Sequence, residues 1–230
     1  MRVLAIDTAG PVVGAALSGP DGVRVWTARL TRGADGELLP AVAALLGADE
    51  GPTEGRWSGE GGPGGVDLVT VSVGPGAFTG LRVGVAAALG VAFARGLKVL
   101  PLSSLAARAA MAPGPRVLAV LDAKKSRVYA GFFDSTGAVP AALGPEVDLD
   151  PAAVWPEAPF LAVGEGAAAL RAQVEAAGGA VAPDAEVPPV AVMTRLAALL
   201  AHEALDPGEI ALRYLRPADA KVPASLGGRP

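Results

Sequence analysis

The sequence contains no cysteine. That excludes disulfide scaffolds, thiol catalysis, Fe–S clusters and cysteine-ligated zinc. It has a single histidine, His202. One imidazole cannot form the paired-histidine motif of zinc hydrolases, and serine–histidine catalysis would have to use His202 alone. Aromatic residues are scarce: 3 Trp, 2 Tyr and 5 Phe in 230 residues. Charged residues make up 18% of the chain and the formal net charge is −4. No overall basic footprint supports independent nucleic-acid binding, and the few aromatics argue further against a stand-alone RNA-binding module. Long apolar runs are missing too. Only four apolar residues, 3–6, precede Asp7, whereas a signal peptide needs roughly 7–15. The longest apolar stretch, residues 83–94, holds twelve residues between Arg82 and Arg95, and a spanning helix needs about 20. That stretch reads as a buried helix, and a soluble cytoplasmic protein is the expectation.

What is present is 51% hydrophobic residues with 31 Gly and 21 Pro. The chain is too hydrophobic to be disordered and long enough for one large domain or two small lobes. Residues 3–6 read as a buried strand ending at Asp7. Residues 12–18 and 23–30 read as two further strands around the turn Gly19-Pro20-Asp21-Gly22. Leu38, Leu39, Val42, Leu45 and Leu46 have helical spacing. The Gly-rich segment 47–65, carrying Asp49, Glu50, Glu54 and Glu60, reads as an exposed, mobile loop. Residues 66–73 suggest another buried strand. A glycine loop, 74–80, follows, with Thr79 as cap of a helix to about Arg95. Strands are expected at 98–100, 117–121, 128–133 and 160–163. Helices are expected from Ser103 or Ser104 to about 111, over 167–177 and over 190–205. The tail 210–230 reads as extended. Pro113-Gly-Pro115 is the clearest internal boundary, giving lobes 1–112 and 113–230.

An internal similarity supports two lobes. Arg2-Val3-Leu4-Ala5 recurs as Arg116-Val117-Leu118-Ala119, and Asp7 then aligns with Asp122. Residues 14–22 align with 129–137. Both copies read strand, Asp, turn, strand, turn, which implies two stacked α/β lobes.

Three places could carry chemistry, each with a plain structural alternative. Asp7, with Thr8 and Gly10, could hold Mg²⁺ or orient a phosphate where a strand enters a turn, or it could accept backbone N–H groups of that turn. The loop Gly74-Pro-Gly-Ala-Phe-Thr-Gly80, then Leu81-Arg82-Val83-Gly84, could cradle an anion at a helix N-terminus. It lacks the Gly-Lys-[Ser/Thr] of a P-loop and the spacing of the dinucleotide fingerprint. The alternative is a rigid strand-to-helix turn, with Gly84 and Gly90 allowing close packing. Asp122-Ala-Lys-Lys-Ser-Arg127 could meet phosphate or an acidic partner, or be a solvated turn.

Four segments together resemble a known family: Leu4-Ala-Ile-Asp-Thr8, the loop from Gly74 to Gly84, the segment from Asp122 to Tyr129, and Tyr214-Leu-Arg216. In order and approximate spacing they are similar to the TsaB (YeaZ) family over nearly the whole chain. The resemblance implies an ASKHA fold, the actin/Hsp70-like, ribonuclease-H-like duplicated α/β architecture. It implies a bacterial protein that helps make threonylcarbamoyladenosine in tRNA beside the anticodon, with threonylcarbamoyl-adenylate as donor. In that family the catalytic subunit is the paralogue TsaD, which carries the metal-binding histidines and the nucleotide site. TsaB-like chains pair with it, form homodimers in isolation, and work with the ATPase TsaE. ATP or ADP and Mg²⁺ would then enter within the complex, and tRNA only through it.

The residues agree with a non-catalytic subunit. One histidine cannot supply the TsaD metal site, and it makes a peptidase label implausible. The second lobe lacks an adenosine loop beyond the short Gly164-Glu-Gly166. Two departures stand out. The histidine expected shortly before Leu38-Leu39-Pro40 is absent from residues 32–37, and the insert 47–65 is long. The interface expected from this reading is the helix bearing Leu38, Leu39, Val42 and Leu45, together with the helix after Gly80. Gly74, Gly76, Phe78, Thr79, Gly80 and Arg82 stand at its start. No catalytic or metal residue is expected. The competing expectation is an autonomous ATP-dependent phosphotransferase of the same fold, using Asp7 and Asp122 as Mg²⁺-organising carboxylates.

Overall fold

The computed structural model describes residues 1–29 and 35–216, with the side chain of Asp35 left out. Residues 30–34, half of the stretch lacking the expected histidine among them, and the tail from Pro217 lie outside the described residues.

The first sheet starts from β1 (Val3–Asp7), buried along its whole length. Its alternation divides two cores: Leu4 and Ile6 point to one face, Val3 and Ala5 to the other. Strands β2 (Val12–Gly19) and β3 (Gly22–Arg29) continue antiparallel from it. Helix α1 (Asp35–Leu45) lies on the Leu4–Ile6 face. The short strand β4 (Arg56–Ser58) then joins the edge of β3, pairing Trp57 with Trp26. Parallel to β1 comes β5 (Leu68–Gly74), whose run Leu-Val-Thr-Val-Ser-Val-Gly is buried throughout because both of its faces are covered. Helix α2 (Phe78–Arg95) ends at Gly96, whose left-handed backbone (φ 64°) lets its N–H reach Ala92 and Phe93 carbonyls. Strand β6 (Val99–Ser103) completes the sheet, in the order β4-β3-β2-β1-β5-β6.

Helix α3 (Ser104–Ala109) follows at once, capped by Ser103, whose Oγ accepts from the Leu105 and Ala106 N–H groups. It sits between the two sheets, with Leu105 and Ala109 in the same core as Val117, Ala119 and Leu121. The second sheet repeats the first. Strands β7 (Val117–Lys124) and β8 (Arg127–Asp134) form the hairpin, and β9 (Ala141–Ala142) and β10 (Val147–Leu149) pair with β8. Parallel to β7 runs β11 (Phe160–Val163), followed by α4 (Glu165–Ala169), α5 (Arg171–Ala176) and β12 (Gly179–Val181). The order β10-β8-β7-β11-β12 matches β3-β2-β1-β5-β6 strand for strand.

The structure departs from the expectations in several places. The segment 47–65 is not a free loop: β4 lies within it, Trp26 Nε1 donates to the Glu54 carbonyl (3.0 Å), and Glu37 accepts from Thr53 N and Oγ1 (both 2.7 Å). A buried indole needs a partner and the edge of β3 needs covering. The expected 167–177 helix is two short helices meeting at Leu170. Thr79 does not cap α2; Ala77 holds the cap position with no side-chain bond. Finally, α6 (Val190–Leu199) returns to the first sheet, where Met193, Leu196 and Ala197 cover Val3, Ala5, Ala16 and Leu68. Leu205 continues this return with an antiparallel bridge to Val99. The second half, expected as residues 113–230, thus gives its C-terminal part to the first sheet, whose inner apolar face would otherwise be bare.

Candidate functional site

Where β1 ends, the chain turns through Thr8, Ala9 and Gly10 against the glycine loop. Gly74 adopts φ +120° and its bond to Pro75 is cis. A Cβ at Gly80 would lie 2.3 Å from the Thr8 carbonyl oxygen, one at Gly76 2.7 Å from that of Ala9, and one at Gly84 2.1 Å from Thr8 Oγ1. Ala77 N donates to the Ala9 carbonyl (2.8 Å) and Thr8 Oγ1 to that of Gly80 (2.7 Å). The glycines thus admit another stretch of this chain where an anion would have to sit.

Asp7 is fully buried and meets Arg108 of α3, whose Nη2 donates to Oδ2 at 3.0 Å. Arg108 Nε donates to Glu165 Oε2 (3.3 Å), and Nη1 to the Ser104 carbonyl (3.0 Å). The guanidinium is 2% exposed and Glu165 9%. Burial opposes the charge on Arg108, but Asp7 and Glu165 outweigh it and hold its pKa above the ordinary value. Burial pushes the Glu165 carboxyl up, with Arg108 opposing. Asp7 Oδ1 has no hydrogen-bond partner among the described residues. A cation for phosphate chemistry would have to displace Arg108 from between two carboxylates. The residues present therefore do not fit Mg²⁺ at Asp7, and neither Asp7 reading from sequence holds: its partner is a side chain 101 positions away.

Thr8 is buried in its bond to Gly80. Asp122 stays apart from this cluster, 45% exposed, accepting from Lys124 N and Nζ (both 2.7 Å). Partial burial works against its ionised form, but the bonds from Lys124 hold the carboxyl below the ordinary range. Among the described residues no group of three or more His, Cys, Asp or Glu could hold a metal. Arg108 and Glu165 escaped the sequence reading. Their only signals were an arginine in an alanine-rich helix and an acid between two glycines after a strand.

The second feature lies outside. Leu38, Val42 and Leu45 are buried beneath α1, which removes them as contact residues. Their positions a turn apart face the sheet, and Leu39, 57% exposed, faces out. Helix α2 is not the buried helix expected. It is long and apolar, yet only one of its faces is buried. Leu81, Val85, Ala88 and Ala92 face the cores, while Ala86, Gly90, Phe93 and Ala94 are exposed. Between α1 and α2 runs an apolar trough of about 600 Å³, lined by Leu39, Leu46, Val83, Ala86, Gly90 and Val91 among others. At the start of α2, Phe78 packs on Tyr214 (ring centroids 5.2 Å apart), and the Arg82 guanidinium lies 3.8 Å over Phe78.

Two sheets of one strand order, stacked about α3, define a duplicated α/β protein of the ASKHA class. The TsaD family, tRNA N6-adenosine threonylcarbamoyltransferase, matches residues 62–229. An uncharacterized Mycobacterium tuberculosis protein is 37% identical over 153 residues, 65% of this chain and 67% of that one. The tRNA threonylcarbamoyladenosine biosynthesis protein TsaB of Escherichia coli is 32% identical over 133 residues, 56% of this chain and 53% of that protein. YeaZ from Pseudomonas aeruginosa superimposes with a TM-score of 0.72 at 25% identity, covering 93% of this chain and 99% of that one. The chain belongs to the TsaB (YeaZ) family.

Proposed function

We propose that this chain is a non-catalytic subunit in the synthesis of threonylcarbamoyladenosine in tRNA, pairing through the α1–α2 face with a TsaD-type threonylcarbamoyltransferase. One observation carries this reading: the chain's own inter-sheet cleft is filled by Arg108, while a solvent-facing apolar trough lies on α1 and α2. A partner built on the same strand order would offer a similar helical face, which favours pseudo-symmetric pairing, and the same face serves a competing homodimer. ATP or ADP, Mg²⁺ and tRNA then enter through the complex, with a TsaE-type ATPase and the adenylate-forming enzyme upstream. The setting is cytoplasmic, where tRNA is modified. A phosphotransferase centred on Asp7 is disfavoured because Arg108 occupies that carboxylate. A peptidase is disfavoured because His202 is exposed and its near charged neighbour is Glu203.

The test is reconstituted tRNA modification with the cognate catalytic subunit, ATPase and adenylate-forming enzyme, with and without this chain. Modification should require the chain, the chain alone should hydrolyse no ATP, and Leu39→Asp with Phe93→Asp should lower pairing and modification together by at least about tenfold. Full modification without the chain would overturn the reading.

A further inference from the structure

The C-terminal segment 212–216 runs across the end of both sheets and gathers cations. Arg213 N donates to the Val73 carbonyl, which fixes the strap beside the glycine loop. Tyr214 rests on Phe78, and its hydroxyl accepts from Arg82 Nε at 3.4 Å. Arg216 reaches the Ala123 carbonyl and Asp148, and Arg127 meets the same Asp148 at 2.6 Å. Beyond them the β7–β8 hairpin turns through Lys124, Lys125 and Ser126, all at positive φ.

The layering of these pairs matters more than their number. Glu146, which pairs with Arg213, is 8% exposed, while the arginine is 53% exposed. Asp148 is 10% exposed, beneath Arg127 at 41% and Arg216 at 21%. Lys124 is 75% exposed over Asp122 at 45%. In each pair the carboxylate is less exposed than its cation, so solvent meets a positive ridge on a chain of net charge −4. At one end of the ridge stands the half-exposed Phe78–Tyr214 pair with Arg82 over it.

We infer that this ridge contacts the phosphate backbone of the RNA substrate, with the Phe78–Tyr214 pair as a stacking surface at its end. The inference rests on the tRNA-modification reading above and deepens it. Exposed cations held by less exposed carboxylates keep a fixed geometry toward a polyanion, and exposed rings accept an unstacked base.

The test uses the full chain assembled with its cognate catalytic subunit and an unmodified tRNA transcript. Kd is measured across a salt series for the wild type, for Lys124→Gln with Lys125→Gln, and for Asp122→Asn. The lysine variant should weaken binding several-fold and lower the slope of log Kd against log salt by about one per lysine. Asp122→Asn should tighten binding. Sizing of the complex accompanies every variant. Unchanged affinity and slope in an intact complex would overturn the inference while leaving the subunit reading in place. Loss of pairing in the lysine variant would make the ridge a protein interface and also overturn it. If modification does not depend on the chain at all, the functional reading falls and this inference falls with it.

Discussion

Asp7 ends the central strand of the first sheet, and Asp122 holds the same station near the end of the central strand of the second. Their fates differ. Asp7 is fully buried and reaches across the molecule to Arg108, which also holds Glu165. Asp122 faces solvent and is held by the lysine two residues on. A repeated fold thus places two carboxylates alike and leaves their chemistry to the neighbours. Where α3 brings a guanidinium, the acid becomes a tie between the sheets. Where only a turn follows, it becomes part of a charged surface.

Breaking the two ties should separate them by size. Arg108→Ala leaves two buried acids without their cation and should cost about 3–5 kcal/mol in denaturant unfolding, against about 0–1 kcal/mol for Lys124→Ala. Equal effects would erase the contrast. The hairpin should instead respond to its backbone. Lys125 and Ser126 hold φ of 55° and 57° at the centre of the turn, so Ser126→Gly should stabilise the fold by about 0.5–1 kcal/mol. A loss of stability there would mean that the serine side chain matters more than its strain.

The smallest effect is in pH. Glu165 has a raised pKa, so the folded state holds its proton where the unfolded state has released it. Its contribution is therefore present at low pH and lost as pH rises from the ordinary carboxylate range through the folded pKa. Glu165→Gln removes that loss, so the Tm of the variant relative to wild type should climb with pH across this window. A constant difference would show that Glu165 titrates normally.

Much of this contrast was out of reach of the sequence. The strand, acid, turn, strand repeat was legible because buried strands and Gly-Pro turns mark themselves locally. So was the packing role of Gly84, offered there as an alternative. Arg108 and Glu165 lie 57 residues apart on separate elements, and each alone looks like an ordinary helix residue. The helical spacing of Leu38, Leu39, Val42 and Leu45 was plain, but which of them faced inward depended on a sheet formed by distant strands. Strand β4 hid in a Gly-rich segment because three residues at an edge leave no periodicity to read.

The return of α6 to the first sheet bears on how the protein is made. Residues 1–112 leave the ribosome with β1, β2 and β5 able to pair, yet the face holding Val3, Ala5, Ala16 and Leu68 stays uncovered until residues 190–199 follow. The first sheet therefore cannot close before α6 has been made, and a chain stalled or cut before α6 carries a bare hydrophobic face that chaperones and proteases would meet first.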